Sequence, residues 1–204
     1  MLYIGDVHGK FERYKKILQK SDRSESIQVG DMGVGFRNLH GDYSANPPYD
    51  AMTRDGARHL FFRGNHDNPM VCRSQSLCIP DGTIIGDQMI IGGAFSVDWM
   101  HRIDGFSWWK DEECSMTDFS HFIDIAVTRR PAIMVTHDCP SSIVDMIHSE
   151  NHIPPSRTQI GLQAIFEFHQ PDYWIFGHHH KSFRQTVDGT TFICLNELET
   201  VEIS

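Results

Sequence analysis

The sequence contains no apolar run approaching the ~20 residues needed to cross a bilayer, which argues against a membrane-spanning helix. Its first residues pass from Leu2 into a charged segment (Lys10, Glu12, Arg13, Lys15, Lys16) with no long apolar h-region and no small-residue cleavage site. No secretory leader is read there, and a cytoplasmic location is expected. Positive charge is scarce: 18 lysines and arginines face 27 acidic residues, a formal net charge of −9. Non-specific nucleic-acid binding is driven by neutralising phosphates, so stable binding to nucleic acid is not expected. Cys72, Cys78, Cys114, Cys139 and Cys194 are odd in number, scattered and never in a C-x-x-C pair. That pattern argues against both a disulfide framework and a zinc knuckle. Internal repeats and low-complexity segments are also missing. At 204 residues and 40% hydrophobic content, the chain is expected to form one domain, 1–204, because two halves would each bury too little surface.

Histidine is abundant, at 13 residues, and its placement carries the argument. The apolar run Leu2–Ile4 breaks into G-D-V-H-G at 5–9. In a strand followed by extended chain, residues two apart point the same way, so Asp6 and His8 can converge on one point. The arrangement recurs four times. Residues 26–29 run into Gly30 and Asp31, residues 59–62 into Arg63, Gly64, Asn65, His66 and Asp67, residues 132–135 into Thr136, His137 and Asp138, and Tyr173–Phe176 into Gly177, His178, His179 and His180.

Between these strands the spacing predicts a helix over 10–20 with Phe11, Tyr14, Ile17 and Leu18 on one face. A loop over 32–50, a weak helix through residue 57 and a hairpin of 83–85 and 88–91 about Gly86 and Asp87 follow. Residues 92–109 carry Phe95, Asp98, Trp99, His101, Arg102, Trp108 and Trp109 among glycines; they read as a loop lying over something. A helix over 116–127 is expected to turn Met116, Phe119, Ile123 and Val127 inward. A short helix capped by Ser141 or Ser142, a helix over 159–169 and a closing hairpin of 183–187 and 190–195 complete the chain. Strands alternating with helices, with hairpins that require antiparallel pairs, give a mixed α/β sandwich with its site at strand carboxyl ends.

Carboxylate, amide and imidazole donors with no thiolate suit Mn²⁺, Fe, Zn²⁺ or Mg²⁺ better than a structural zinc site. Seven ligands are too many for one catalytic ion and divide between two, with one carboxylate shared. Taken in order, G-D-V-H-G (5–9), G-D-M-G (30–33), G-N-H-D (64–67), T-H (136–137) and G-H-H-H (177–180) resemble the five motifs of the calcineurin-like metallophosphoesterases. The resemblance spans residues 5 to 180. It implies a four-layer fold, a mixed β-sandwich flanked by α-helices, and a dinuclear metal-dependent phosphoesterase. By that similarity Asp6, His8 and His180 hold the first ion, Asn65, His137 and His178 the second, and Asp31 bridges them. Mn²⁺ is the first choice of metal, with Fe, Zn²⁺, Ni²⁺ and Mg²⁺ compatible. Two such ions, ~3.5–4 Å apart, share and activate a water, and the bridging hydroxide attacks phosphorus in line. His66 takes the family's catalytic position, as general acid to the leaving alkoxide, with Asp67 orienting its imidazole. Arg102 and Arg63 are candidates to bind a phosphate oxygen.

His179 is expected to point away from the metals, and Trp99, Trp108 and Trp109 to pack rather than stack bases. His40, His59, His101, His121, His148, His152 and His169 have no motif context. Protein-phosphatase members of the family continue the second motif as G-D-x-x-D-R-G and the third as G-N-H-E, whereas here Val34, Gly35 and Asp67 stand at those places. The departure favours a phosphodiesterase acting on a small phosphoester or a nucleotide. The alternatives are a phosphomonoesterase or serine/threonine-type protein phosphatase, a metal-dependent nuclease, a non-catalytic metal-binding scaffold, and a nucleic-acid-binding module built on the tryptophan loop. Oligomeric state has no signature in the sequence.

Overall fold

In the computed structural model, which describes residues 1–37, 46–148 and 154–203, each of the five expected motif-bearing runs is a strand. The chain opens with β1 (Leu2–Ile4), α1 (Phe11–Lys20), β2 (Glu25–Gln28), α2 (Tyr49–Met52), β3 (Arg58–Phe61) and α3 (Pro69–Arg73). The hairpin β4 (Thr83–Ile85) and β5 (Gln88–Ile91) follows, then α4 (Met116–Arg129), β6 (Ile133–Thr136), α5 (Ser141–Ile147) and α6 (Arg157–Phe168). Last come β7 (Tyr173–Phe176), β8 (Phe183–Val187), β9 (Thr190–Cys194) and β10 (Thr200–Glu202).

One sheet has the order β10-β1-β2-β3 and the other β4-β5-β6-β7-β9-β8. Their inner pairs are parallel, while β10, β4 and β8 run antiparallel at the edges. Strands buried on both faces should be apolar throughout, and the two-residue alternation deals each one's side chains to two different cores. Tyr3, Ile27 and Leu60 meet Ile90, Val135, Ile175 and Ile193 between the sheets. Leu2, Ile4 and Phe61 face the other way, against Phe11, Tyr14 and Leu18 of α1 and Met52 of α2. Met89, Met134, Trp174 and Phe192 turn outward beneath Phe119 and Phe122 of α4, Ile143 of α5, and Leu162 and Ile165 of α6. The result is the expected four layers, helix, sheet, sheet and helix. Among the described residues, no helix is long and apolar enough to cross a membrane.

The structure departs from the sequence expectations locally. In α4, Met116 and Val127 are exposed; Phe122 and Ala126 continue the buried stripe from Phe119, at i+3 and i+7. Neither Ser141 nor Ser142 caps α5, which has Pro140 at its N-cap, and the Ser142 N–H donates instead to Gln163 Oε1 at 3.2 Å. Two elements, α3 and β10, are additional to the expected set. The former is five residues long, too short for a period, and is started by Asn68, whose side chain accepts from the Met70 and Val71 N–H groups, with Pro69 in its first turn. The latter is three residues long, pairs with β1 along its backbone and adds only Val201 to the core between the sheets. His40 and His152 lie outside the described residues.

Candidate metal centre

The site forms where the loops after β1, β2, β3, β6 and β7 meet. Backbone bonds tie the first two together: the Val7 and His8 N–H groups both donate to the Asp31 carbonyl, at 3.0 and 2.8 Å. His8, Asp31, His178 and His180 have φ values of 46°, 57°, 64° and 50°. Side chains rarely adopt this left-handed region, and holding one there costs on the order of 1–3 kcal/mol, so strain is concentrated on four of the seven candidate ligands. Two motif glycines make room for carboxylates. A Cβ on Gly64 would overlap the Asp31 carboxylate, and one on Gly177 would overlap that of Asp6.

All seven candidate ligands come together, in two groups. Asp6, His8, Asp31 and His180 place ligand atoms within 4.8 Å of one another, as do Asp31, His137 and His178. In the first group His8 Nε2 lies 2.9 Å from His180 Nε2, which lies 3.2 Å from Asp6 Oδ2. In the second, Asn65 Oδ1 is 3.1 Å from His137 Nε2 and 3.0 Å from His178 Nδ1. Asp31 belongs to both: its Oδ2 is 3.7 Å from His8 Nε2 and its Oδ1 is 3.2 Å from His137 Nε2.

Asp6 and Asp31 are buried, and among the described residues no lysine or arginine pairs with either. Two buried carboxylates faced by imidazoles, with oxygen and nitrogen donors converging and no thiolate among them, fit a pair of divalent cations. The electrostatics agree. Burial opposes ionisation of Asp31, yet the surrounding His137, His66 and His8 hold its carboxyl well below the usual range. Burial pushes the His178 imidazole down to about 3, keeping it neutral as a ligand must be. Against the effect of burial, the Asp31 carboxylate pushes the His137 imidazole up to about 10, so without metal it is protonated: Nδ1 donates to the Val29 carbonyl at 2.8 Å, and Nε2, 3.2 Å from Asp31 Oδ1 and 3.1 Å from Asn65 Oδ1, is the atom that must give up its proton for a cation.

His66 stands beside the centre but is not oriented as expected. Asp67, assigned that task from the sequence, accepts from the backbone N–H groups of Met32, Gly33, Val34 and Gly64 at 2.7–3.2 Å, and so braces the second motif loop against the third. The orienting contacts come from elsewhere. His66 stacks on Phe36, ring centroids 4.7 Å apart, and its Nε2 lies 2.7 Å from Arg102 Nη2. Asp98 holds that guanidinium at 2.7 Å. Burial pushes His66 down to about 4, with Asp31 resisting and Arg102 adding to the fall. A cavity of about 150 Å³ opens between His8, Gly33, Phe36 and His66. The aromatic loop is indeed a cover: it delivers Asp98 and Arg102, and also Ser96, whose Oγ accepts from Asn65 Nδ2.

Arg63 does not face the site. Its Nε donates to Asp81 at 2.8 Å, its Nη1 to the carbonyls of Asp111 and Glu112, and its Nη2 to Cys114 Sγ. It lines a separate cavity of about 510 Å³ that includes none of the seven candidate ligands. His179 is turned away from the two groups, as expected; its side chain is only 5% exposed, with Nε2 3.0 Å from Asp138 Oδ1. Trp109 is buried and Trp99 is 43% exposed. Phe36, Ser96 and Asp98 contact candidate site residues that the motifs do not link them to; only the density of polar and aromatic residues in 92–109 hints at the last two.

Residues 1–182 match the calcineurin-like phosphoesterase family. The chain belongs to the calcineurin-like phosphoesterases. It is a metal-dependent phosphoester hydrolase, and the family implies a dinuclear divalent metal site, for which the two ligand groups are the candidates. Among solved structures, TT1561 of Thermus thermophilus superposes with a TM-score of 0.60 at 8% identity, covering 97% of this chain and 90% of that one. At such identity the likeness bears on the fold alone. A putative 5'-nucleotidase from Staphylococcus aureus gives a TM-score of 0.50 at 12% identity, over 97% of this chain and 48% of that one. The phosphopantetheinyl hydrolase of Mycobacterium tuberculosis gives 0.48 at 14% identity, over 96% and 89%. No curated protein matches this phosphoesterase in sequence.

Proposed function

We propose that this phosphoesterase is a dinuclear phosphodiesterase acting on a small phosphoester or nucleotide, with Mn²⁺ as the preferred metal. Asp6, His8, Asp31 and His180 hold one ion and Asp31, Asn65, His137 and His178 the other. Divalent ions bound there supply Lewis-acid stabilisation of phosphate charge and a water activated near neutral pH. The observation that carries the reading is the shared Asp31, with one oxygen directed at each ligand group.

The chain's own residues account for the rest. Arg102 binds a non-bridging phosphate oxygen. A guanidinium only donates, so in the free enzyme its contact holds His66 Nε2 as an acceptor and the imidazole neutral. When a phosphate oxygen takes over Arg102, Nε2 is released and takes up a proton from solvent, which the phosphate charge helps it hold, and the imidazolium then gives that Nε2 proton to the leaving alkoxide and returns to the neutral form. Preference for a diester is supported by the arginine count: Arg63 is bonded elsewhere, and Val34 and Gly35 stand where the phosphatase motif carries Asp and Arg. A diester monoanion needs less neutralisation than a monoester dianion.

The test is hydrolysis of bis-p-nitrophenyl phosphate beside p-nitrophenyl phosphate, with Mn²⁺ and with a chelator, using Asp31→Asn as control. Faster diester turnover that requires metal and fails in the variant is expected. Monoester preference overturns the diesterase assignment, and silence on both substrates with metal bound favours a scaffold.

A further inference from the structure

We infer that Ser96 and Glu112 are positioning residues that determine which end of the Asn65 amide faces the metals. An asparagine amide presents an oxygen and an NH₂ of nearly the same shape, but only the oxygen can ligate a cation; the reversed amide would aim N–H donors at it. In the structure Asn65 Oδ1 faces His137 and His178, and Asn65 Nδ2 donates to Ser96 Oγ at 3.1 Å. The polarity of that bond is imposed from the far side. Ser96 has one hydroxyl proton, and Oγ donates it to Glu112 Oε2 at 2.6 Å, while the Ser96 backbone N–H donates to Glu112 Oε1 at 2.8 Å. With its proton committed, Ser96 Oγ can only accept from Asn65.

Reversing the amide would set two acceptors against each other at a buried position, where an unmade hydrogen bond is costly. Asn65, Ser96 and Glu112 are 2%, 1% and 3% exposed. The chain of bonds continues outward: Arg63 Nη1 donates to the Glu112 carbonyl at 2.6 Å, so this arginine acts on the site at third hand. The inference rests on the proposed metal centre and adds to it Ser96 of the aromatic loop and Glu112 just after it.

Glu112→Gln is the discriminating variant because it keeps the shape and reverses the polarity. If the new side-chain amide accepts the Ser96 N–H through its oxygen, its NH₂ donates to Ser96 Oγ and frees the hydroxyl proton for a reversed Asn65. Mn²⁺ titration calorimetry on wild-type chain, with electron paramagnetic resonance for the spin-coupled pair, should show two ions. In Glu112→Gln one of the two should bind about 10- to 100-fold more weakly, the usual cost of losing an outer-shell partner, with the coupled signal lost and the metal-free melting transition retained. Ser96→Ala should weaken the same ion. In an Asn65→Asp background, where the side chain has no donor end, Glu112→Gln should have no further effect. Two ions bound at wild-type affinity in both Glu112→Gln and Ser96→Ala would overturn the inference. A wild-type chain binding fewer than two ions would overturn the metal-centre reading itself, and this one with it.

Discussion

The two ligand groups share Asp31 but are held differently. In the first, the side chains of His180 and His8 are 45% and 15% exposed, and a substrate can reach them. In the second, His137 is fully buried and Asn65 nearly so, each fixed by a bond from behind, to the Val29 carbonyl and to Ser96. A cation between rigid, desolvated ligands loses little on reorganisation. One between solvent-facing imidazoles can exchange. On that difference the inner group is expected to retain its ion and the outer group to exchange it.

The strongest way to break the comparison is to strike the residue common to both halves. Asp31→Asn should lower metal-dependent turnover by more than the roughly 100-fold that loss of an outer-shell partner costs, and should reduce the bound Mn²⁺ measured by elemental analysis. Stripping metal from the intact chain should come next in size. With free metal near 100 times its dissociation constant, binding contributes about 2.7 kcal/mol per site, so loss of both ions to a chelator should lower calorimetric melting by about 10–20 °C. Dissociation followed under chelator should have two phases, and His180→Ala should abolish the fast one while leaving the slow one; loss of the slow phase instead would reverse the assignment of the halves.

The two arginines sharpen the comparison further. Arg63→Ala should destabilise the fold by about 2–3 kcal/mol in denaturant unfolding, because it strips a charged partner from Asp81 and two carbonyls. Arg102→Ala should leave stability near wild type and lower kcat/KM for the diester by about 10- to 100-fold, the worth of a charge-assisted hydrogen bond or two. The smallest effect is on pH. Arg102 adds to the depression of the His66 pKa, so its removal raises that pKa. A general acid works below its pKa, so the alkaline limb of kcat/KM should move to higher pH in Arg102→Ala, and an unmoved limb would remove His66 from that role.

Much of this is legible in the residues because the chemistry is local. Asp6 and His8 lie two apart after one strand and His178 and His180 after another, so the spacing marks the ligands, but left-handed turns at His8, His178 and His180 aim them, and His178 and His180 go to different groups. The helical stripe of α4 differs from its expected course by one position per turn, since Phe122 and Ile123 are equally apolar and only the packing against α6 chooses between them. Asp67 and Arg63 escape sequence reasoning for a related cause. A carboxylate beside a histidine, and an arginine beside a ligand motif, suggest partnership by proximity in sequence, whereas their hydrogen bonds go to Val34, 33 residues away, and to Glu112, 49 away.

By itself the sequence marked the strand ends and the ligand chemistry, because apolar runs and the choice of donor atom are properties of a few adjacent residues, and the family resemblance implied the division of the ligands between two ions. The tertiary structure alone decided that Arg63 supports while Arg102 reaches in, that Asp67 braces loops rather than a histidine, and that Asn65 turns its oxygen toward the cluster. Each of those outcomes is the choice of a hydrogen-bond partner, and inside a protein that choice belongs to whichever donor or acceptor the fold brings within about 3 Å, however far away it lies along the chain.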